Sequence, residues 1–154
     1  MSDTLKIRSA KAEDVDLLYR WSSDELVRTQ SFSSEVIPYE THCNWFEKKL
    51  LNPQSALLII ELDEIPAGIV RFDEKEGEAI IGVTIDKNFR GKGLGVKFIK
   101  VGLEEFFKKS DLTVLAYIKK GNIASVKSFE NAGFSLFKEE EINGIGSFIY
   151  QIVK

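Results

Sequence analysis

The run Arg90-Gly91-Lys92-Gly93-Leu94-Gly95 constrains the fold more than any other stretch of the chain. Upstream, Ala79 to Ile85 is rich in β-branched residues and reads as a strand. Downstream, Val96, Ile99, Leu103, Phe106 and Phe107 recur at steps of three and four and read as an amphipathic helix. A glycine turn that joins a strand directly to a helix aims successive backbone N–H groups and the positive end of the helix at one point, which suits an anion. Glycine allows φ > 0 and leaves no Cβ in the way of a phosphate, while Arg90 and Lys92 add charge. The plainer reading is a solvated turn carrying two surface cations. No G-x-x-x-x-G-K-[ST] loop occurs, and the alternating glycines do not follow the G-x-G-x-x-G dinucleotide pattern, so the anion reading calls for another phosphate-bearing cofactor.

The rest of the chain supplies a sheet and helices around that turn. Leu5, Ile7 and Ser9 alternate as a strand, and Val15, Leu18 and Trp21 follow at helical spacing. A second helix is predicted over 41–51, with His42, Trp45, Phe46, Lys49 and Leu50 on one side, stopped by Asn52-Pro53. Strands over 56–62, 65–73 and 79–85 form an antiparallel meander, and residues 112–118 make another strand. A helix over 123–132 ends at Gly133, and strands over 134–141 and 146–153 form a hairpin about Asn143-Gly144. The order β-α-α-β-β-β-α-β-α-β-β predicts an α/β (α+β) fold, with helices flanking a mixed, largely antiparallel central sheet.

Composition narrows the setting. At 154 residues, 44% of them hydrophobic, and with three prolines and no low-complexity stretch, the chain is read as one domain over 1–154 with a substantial core. Twenty-four acids against twenty-one bases leave no basic footprint for nucleic acid. The longest apolar run, Ala56 to Ile60, is too short to cross a bilayer, and the first residues do not read as a leader. Cys43 has no partner for a disulfide and a thiolate metal cluster lacks ligands, so no metal is expected and a reducing cytoplasm is the expected location.

The turn R-x-x-G-x-G after a strand resembles the pyrophosphate loop of the GCN5-related N-acetyltransferases (GNATs). Downstream, Asn122-Ile-Ala-Ser125-Val-Lys-Ser128-Phe129-Glu130-Asn-Ala-Gly133-Phe134 is similar to that family's N-x-x-S-x-x-x-(Y/F)-E-x-x-G-F helix, and the element order agrees. The resemblance implies acetyl-CoA (CoA) as cosubstrate and an activity on a small-molecule amine. It implies that the strand before the loop leaves its neighbour at a bulge, where Val83 and Ile85 pair with pantetheine. Arg90, Gly91, Lys92, Gly93, Leu94, Gly95 and Val96 would surround the diphosphate. Asn122, Ser125 and Phe129 would line the cofactor arm, although Asn122 is equally a natural N-cap.

Acetyl transfer to an amine needs a proton acceptor, because an amine with a pKa near ~10 is mostly protonated at neutral pH. Glu78, at the start of the strand entering the site, is the first candidate, with Asp73 and Glu61 behind it; each also reads as an ordinary exposed acid. Relatives place a tyrosine where this chain has Phe129, so protonation of the departing thiolate falls to solvent, Tyr117 or Ser128. The segment from Trp21 through Asp24 and Arg28 to the helix Glu40-Thr-His42-Cys-Asn-Trp45-Phe46 resembles the subfamily that acetylates nucleotide-linked amino sugars, of the pseudaminic-acid pathway type, with Ser22 and Ser23 departing from the usual Arg-Asn. Arg28, His42, Trp45 and Arg71 are the corresponding candidates for the acceptor. His42 beside Trp45 and Phe46 reads as well as a packed histidine. Ribosomal-protein and protein N-terminal acetylases share the layout, making a peptide amine the alternative acceptor, and a non-catalytic acetyl-CoA-binding module is a third reading. The last hairpin offers an edge through which a homodimer could form.

Overall fold

The computed structural model describes residues 4–154; Met1–Asp3, part of the segment read as carrying no leader, lie outside the described residues. Strand β1 (Leu5–Ser9) leads through a 3-10 turn at Ala12–Asp14 into helices α1 (Val15–Ser22), α2 (Glu25–Gln30) and α3 (Tyr39–Leu51). Strands β2 (Ser55–Leu62), β3 (Ile65–Lys75) and β4 (Glu78–Ile85) follow, then α4 (Leu94–Phe107), β5 (Val114–Lys119), α5 (Ile123–Asn131), β6 (Ser135–Ile142) and β7 (Ile145–Ile152). They form one sheet in the order β1-β2-β3-β4-β5-β7-β6, antiparallel except where β4 meets β5. Fold class and element order agree with the sequence reading, with one addition. The short helix α2 has no apolar period of its own and is started by Asp24, whose side chain accepts from the N–H groups of Leu26 and Val27.

The hairpins are tight because their two central residues all have positive φ: Asp63 and Glu64, Glu76 and Gly77, Asn143 and Gly144. On one face of the sheet, Phe72, Ile81, Val114, Ala116 and Ile118 bury against Phe98, Ile99 and Leu103 of α4 and Phe129 of α5. On the other, Leu57, Ile59 and Ile69 bury against Leu18 and Trp21 of α1 and Phe46 of α3. The apolar stripes read from the sequence therefore become two cores on opposite faces of one sheet. The edge of the last hairpin is β6, whose residues are exposed from Ser135 to Glu141, while β7 lies inside the sheet. Among the described residues no helix is long and apolar enough to cross a membrane.

Arg8 and Asp14 fasten β1 to the first helix. Arg8 donates Nη1 and Nη2 to the two oxygens of Asp14 at 2.8 and 3.0 Å, and the Lys11 N–H adds a third bond at 2.7 Å. The hydrogen bond from Arg8 holds the nearly buried Asp14 carboxyl below its usual range, against the opposing pull of burial. A depressed native pKa contributes stability above the unfolded value of 3.8 and loses it as pH falls through the native one. Asp14→Asn should therefore cost about 1.5–3 kcal/mol at pH 7. The gap from wild type should close below about pH 4. Denaturant melts at pH 7 and pH 3 check this, and a gap of equal size at both would contradict it.

Candidate active site

Two pairs are all that join β4 to β5: Ala79 with Val114, and Ile80 with Leu115. Beyond them β4 stays paired with β3 as far as Ile85, and β5 stays paired with β7 as far as Lys119, so the facing edges separate into a wedge. The Ala79 N–H donates to Thr113 O at 3.0 Å, on the β5 side, and the Asp86 N–H donates to Ala67 O at 2.8 Å, on the β3 side. Alternation along the strand then turns the main-chain groups of Val83 and Ile85 into the wedge, while the Ile81 N–H is still spent on β5 in the Ile80–Leu115 pair. The expected bulge is absent from β4: its register with β3 is unbroken from Lys75–Glu78 to Gly68–Ile85, and the register shifts fall at Ile60/Glu61 and Leu136/Lys138. The parting instead follows from each half of the sheet keeping its own partner while twist accumulates between them.

At the open end of the wedge, Asp86 caps a 3-10 turn at Lys87–Phe89 by accepting from the Asn88 N–H at 2.8 Å. The glycine turn follows, with φ of 75° at Gly91 and 71° at Gly93. Gly93 is the N-cap of α4, no side chain caps this helix, and its first turn holds no acid. The N–H groups of Leu94, Gly95 and Val96 therefore face outward beside those of the turn, a suitable cradle for a diphosphate. Lys92 stands over the Phe89 ring with Nζ 5.6 Å from its centre.

Arg90 does not join that cradle. Its Nε donates to Ile85 O at 3.1 Å and its Nη2 to Asp24 Oδ1 at 2.8 Å, so it ties the turn to the start of α2 and leaves only the N–H of Ile85 free on the wedge side. Burial pushes the Asp24 carboxyl up, but the bonds from Arg90, Val27 and Leu26 outweigh it and hold the group below its usual range. A second tie runs the other way, where Trp21 Nε1 donates to Asp86 Oδ2 at 2.9 Å. On α5, Asn122 accepts from the Ser125 N–H at 3.3 Å as the helix cap, and the Ser128 hydroxyl lies against Gly95 in the first turn of α4. Phe129 is core: it is 6% exposed, with its ring edge-on to Phe134 at 5.0 Å.

On the opposite sheet face, Arg71 pairs with Gly82 across β3 and β4, and its guanidinium lies over Gly82, where a Cβ would meet Nη2 at 2.8 Å. Tyr117 stands two residues beyond the last β4–β5 pair and is thus level with Gly82 across the wedge. Burial, then Glu78, Glu140 and Glu76, raise its phenol above the ordinary value. Glu78 is three positions before Ile81, about 10 Å of strand from where the wedge opens. Of the other two acids, Asp73 takes Lys49 Nζ at 2.6 Å and Ser55 Oγ at 2.7 Å, and Glu61 takes Arg8 Nε at 3.2 Å, so both are engaged away from the wedge.

The acceptor candidates separate in the same way. His42 is buried, and its Nε2–H donates to Val15 O at 2.9 Å; the carbonyl only accepts, which fixes the tautomer, and the ring stacks on Phe46. His42 is therefore placed as packing between α1 and α3. Arg28 donates to the carbonyls of Ser22, Ser33 and Glu35 and to Ser31 Oγ, clasping the chain around α2. Arg28, Arg71 and half-buried Trp45 nevertheless line one small cavity with Trp21, Ile69 and Thr84.

A family model for an acetyltransferase (GNAT) domain matches residues 4–135. The chain belongs to that family. A mycothiol acetyltransferase of Corynebacterium aurimucosum is 33% identical over 63 residues, 41% of this chain but only 20% of that protein. Among solved structures, spermidine N-acetyltransferase from Vibrio cholerae, in complex with CoA and spermine, superposes with a TM-score of 0.87 at 17% identity, over 97% of this chain and 95% of that one. A ribosomal L7/L12 alpha-N-protein acetyltransferase in complex with coenzyme A gives 0.84 at 18% identity, over 99% and 95%.

In this GNAT chain the sequence reading passes over three residues that shape the site. Gly82 is signalled only as a lone glycine inside a strand, a mark of close approach. Asp24 enters the sequence reading only as part of the segment that resembles the amino-sugar acetylases and Asp86 not at all, and only the fold brings them to Arg90 and Trp21. His42→Ala should lower stability by roughly 1–3 kcal/mol, through the lost bond and the void, and leave acetyl-CoA affinity unchanged. Thermal melts alongside calorimetric titration separate the two effects; weakened cofactor binding in a stable variant would return His42 to the site.

Proposed function

We propose that the chain transfers the acetyl group of acetyl-CoA to a primary amine, with the Gly91–Val96 turn holding the diphosphate and the wedge edge of β4 holding the pantetheine arm. The observation that carries the reading is the outward-facing main chain of Val83 and Ile85 leading directly to an uncapped helix start. An extended arm carrying amides pairs with such an edge as an added strand does. The bound cosubstrate supplies an activated thioester. The N–H of Val83 would steady its carbonyl oxygen as negative charge grows there.

Tyr117 is the proton donor this geometry supports for the departing thiolate. It stands on β5 level with Gly82 across the wedge, and its raised pKa keeps the phenol protonated at neutral pH. Phe129, buried among apolar neighbours, offers no such group. Glu78, about 10 Å of strand from the opening, would collect the amine's proton through a chain of water, and Tyr117 and Glu78 as the two proton groups support transfer over mere cofactor binding.

For the acceptor, a peptide α-amine is the reading the solved neighbours favour, since one acts on a ribosomal protein and the nucleotide-linked amino sugar loses His42 to packing. Peptides beginning with Ser, Thr or Ala should be acetylated faster than UDP-linked amino sugars in a turnover assay; the reverse order would restore the sugar.

Two variants test the cosubstrate side. Gly93→Val forces a branched residue to positive φ at a cost of about 1–2 kcal/mol. It meets no neighbour within 4 Å, so the fold should persist. Its acetyl-CoA Kd should rise roughly tenfold or more by calorimetry. An unchanged Kd in the folded variant removes the turn from the binding site. Tyr117→Phe should lower kcat by roughly 10²-fold with little change in the acetyl-CoA KM. A normal kcat would hand the proton to solvent.

A further inference from the structure

Arg71 carries a charge that no ion pair among the described residues answers. Its Nε is sealed from solvent and has no hydrogen-bond partner among the described residues. The nearest acid on its strand, Asp73, is already held by Lys49 and Ser55. Burial lowers the Arg71 pKa, Asp73 offsets part of that and Arg28 lowers it further, yet a guanidinium stays charged in proteins. Arg28 faces the same cavity, and every acceptor it meets is a neutral oxygen. No acid is among the residues that line this space, which are Trp21, Trp45, Ile69, Thr84 and their neighbours. A chain that seals one guanidinium nitrogen away unpaired and sets a second arginine beside it, between indole walls, bears a desolvation cost that a bound anion would offset.

Size and place say what kind of anion. The cavity is about 50 Å³. A water needs roughly 10–15 Å³ on that measure, so the space suits a head group of a few heavy atoms rather than a sugar ring or a base. Because the Arg71 guanidinium lies over Gly82, the strand that borders the wedge, the cavity and the reacting thioester are separated by about one strand spacing, ~4.8 Å. The acceptor's anion and its amine would then be a few bonds apart.

We propose that Arg71, with Arg28 opposite, is the seat for an anionic group of the acceptor, so that the amine acetylated here belongs to a molecule that also carries a carboxylate or a phosphate. This rests on the acetyl-transfer reading and narrows it. Two fixed cations beside the amine also favour its neutral, nucleophilic form, and they disfavour polycationic acceptors such as spermidine.

Matched pairs of amines test the seat: an acidic dipeptide against its side-chain amide for the carboxylate, and glucosamine 6-phosphate against glucosamine for the phosphate. With wild-type protein and acetyl-CoA, the charged member of at least one pair should have a kcat/KM at least tenfold higher, and the pair that shows it identifies the source of the anion. Arg71→Gln should bring that member down to its neutral counterpart and leave the acetyl-CoA Kd within about twofold. Trp21 and Trp45 both line the cavity, so inorganic phosphate or acetate alone should shift tryptophan emission in the wild type. This reading needs neither turnover nor a folded variant. Equal rates within both pairs, or spermidine as the best acceptor, would overturn the seat, as would emission unmoved by tens of millimolar of either ion. Failure to bind acetyl-CoA would instead overturn the acetyl-transfer reading, and an emission shift would leave the seat standing without it.

Discussion

Everything distinctive about this fold follows from how briefly β4 and β5 are joined. Two pairs hold the halves of the sheet together, and past them each strand keeps one satisfied edge and exposes the other. Unpaired strand edges are costly inside a protein and invite an added strand. Here the open edge leads to a turn whose glycines adopt positive φ and to a helix start with no side-chain cap, so three kinds of main-chain donor converge on one path. A cofactor with an amide-bearing arm and a diphosphate satisfies all three at once, which is why recognition needs so few specific side chains.

Side chains fix the wedge rather than fill it. Arg90 looks from the sequence like a phosphate ligand, but its two bonds run to Ile85 O and Asp24, and Trp21 reaches back to Asp86. The two ties bind α1 and α2 to the segment that leads into the glycine turn. Displacement of the turn by a bound diphosphate would therefore be felt at α2, and through Arg28 at the cavity beneath it.

Local pattern made much of this readable. The strand–glycine–helix junction, the meander and the last hairpin are written in spacing and turn residues, and the structure has them at or within a few residues of the predicted positions. The wedge itself is not local: whether β4 follows β5 for two pairs or six depends on the partners that β3 and β7 provide, which no window of sequence contains. The same holds for individual residues. His42 sits at the right helical spacing to be a ligand, yet a carbonyl on α1, twenty-seven residues away, claims its ring nitrogen. Arg71 is one cation among many in the chain until Gly82 opposite leaves room for its guanidinium to lie flat on the strand.

The charges that flank the wedge differ in sign along its length. Toward the joined end, Glu78, Glu76 and Glu140 surround Tyr117 closely enough to raise its pKa. Level with Gly82 and beyond it, Arg71 and Arg28 line the small cavity, with no acid among its lining residues. An amine entering as a cation is drawn to the first region and its attached anion to the second, so the field would orient the acceptor before any contact forms. A fold shared with acetyltransferases of other amines would thus be made selective by the charges placed on either side of an otherwise main-chain site.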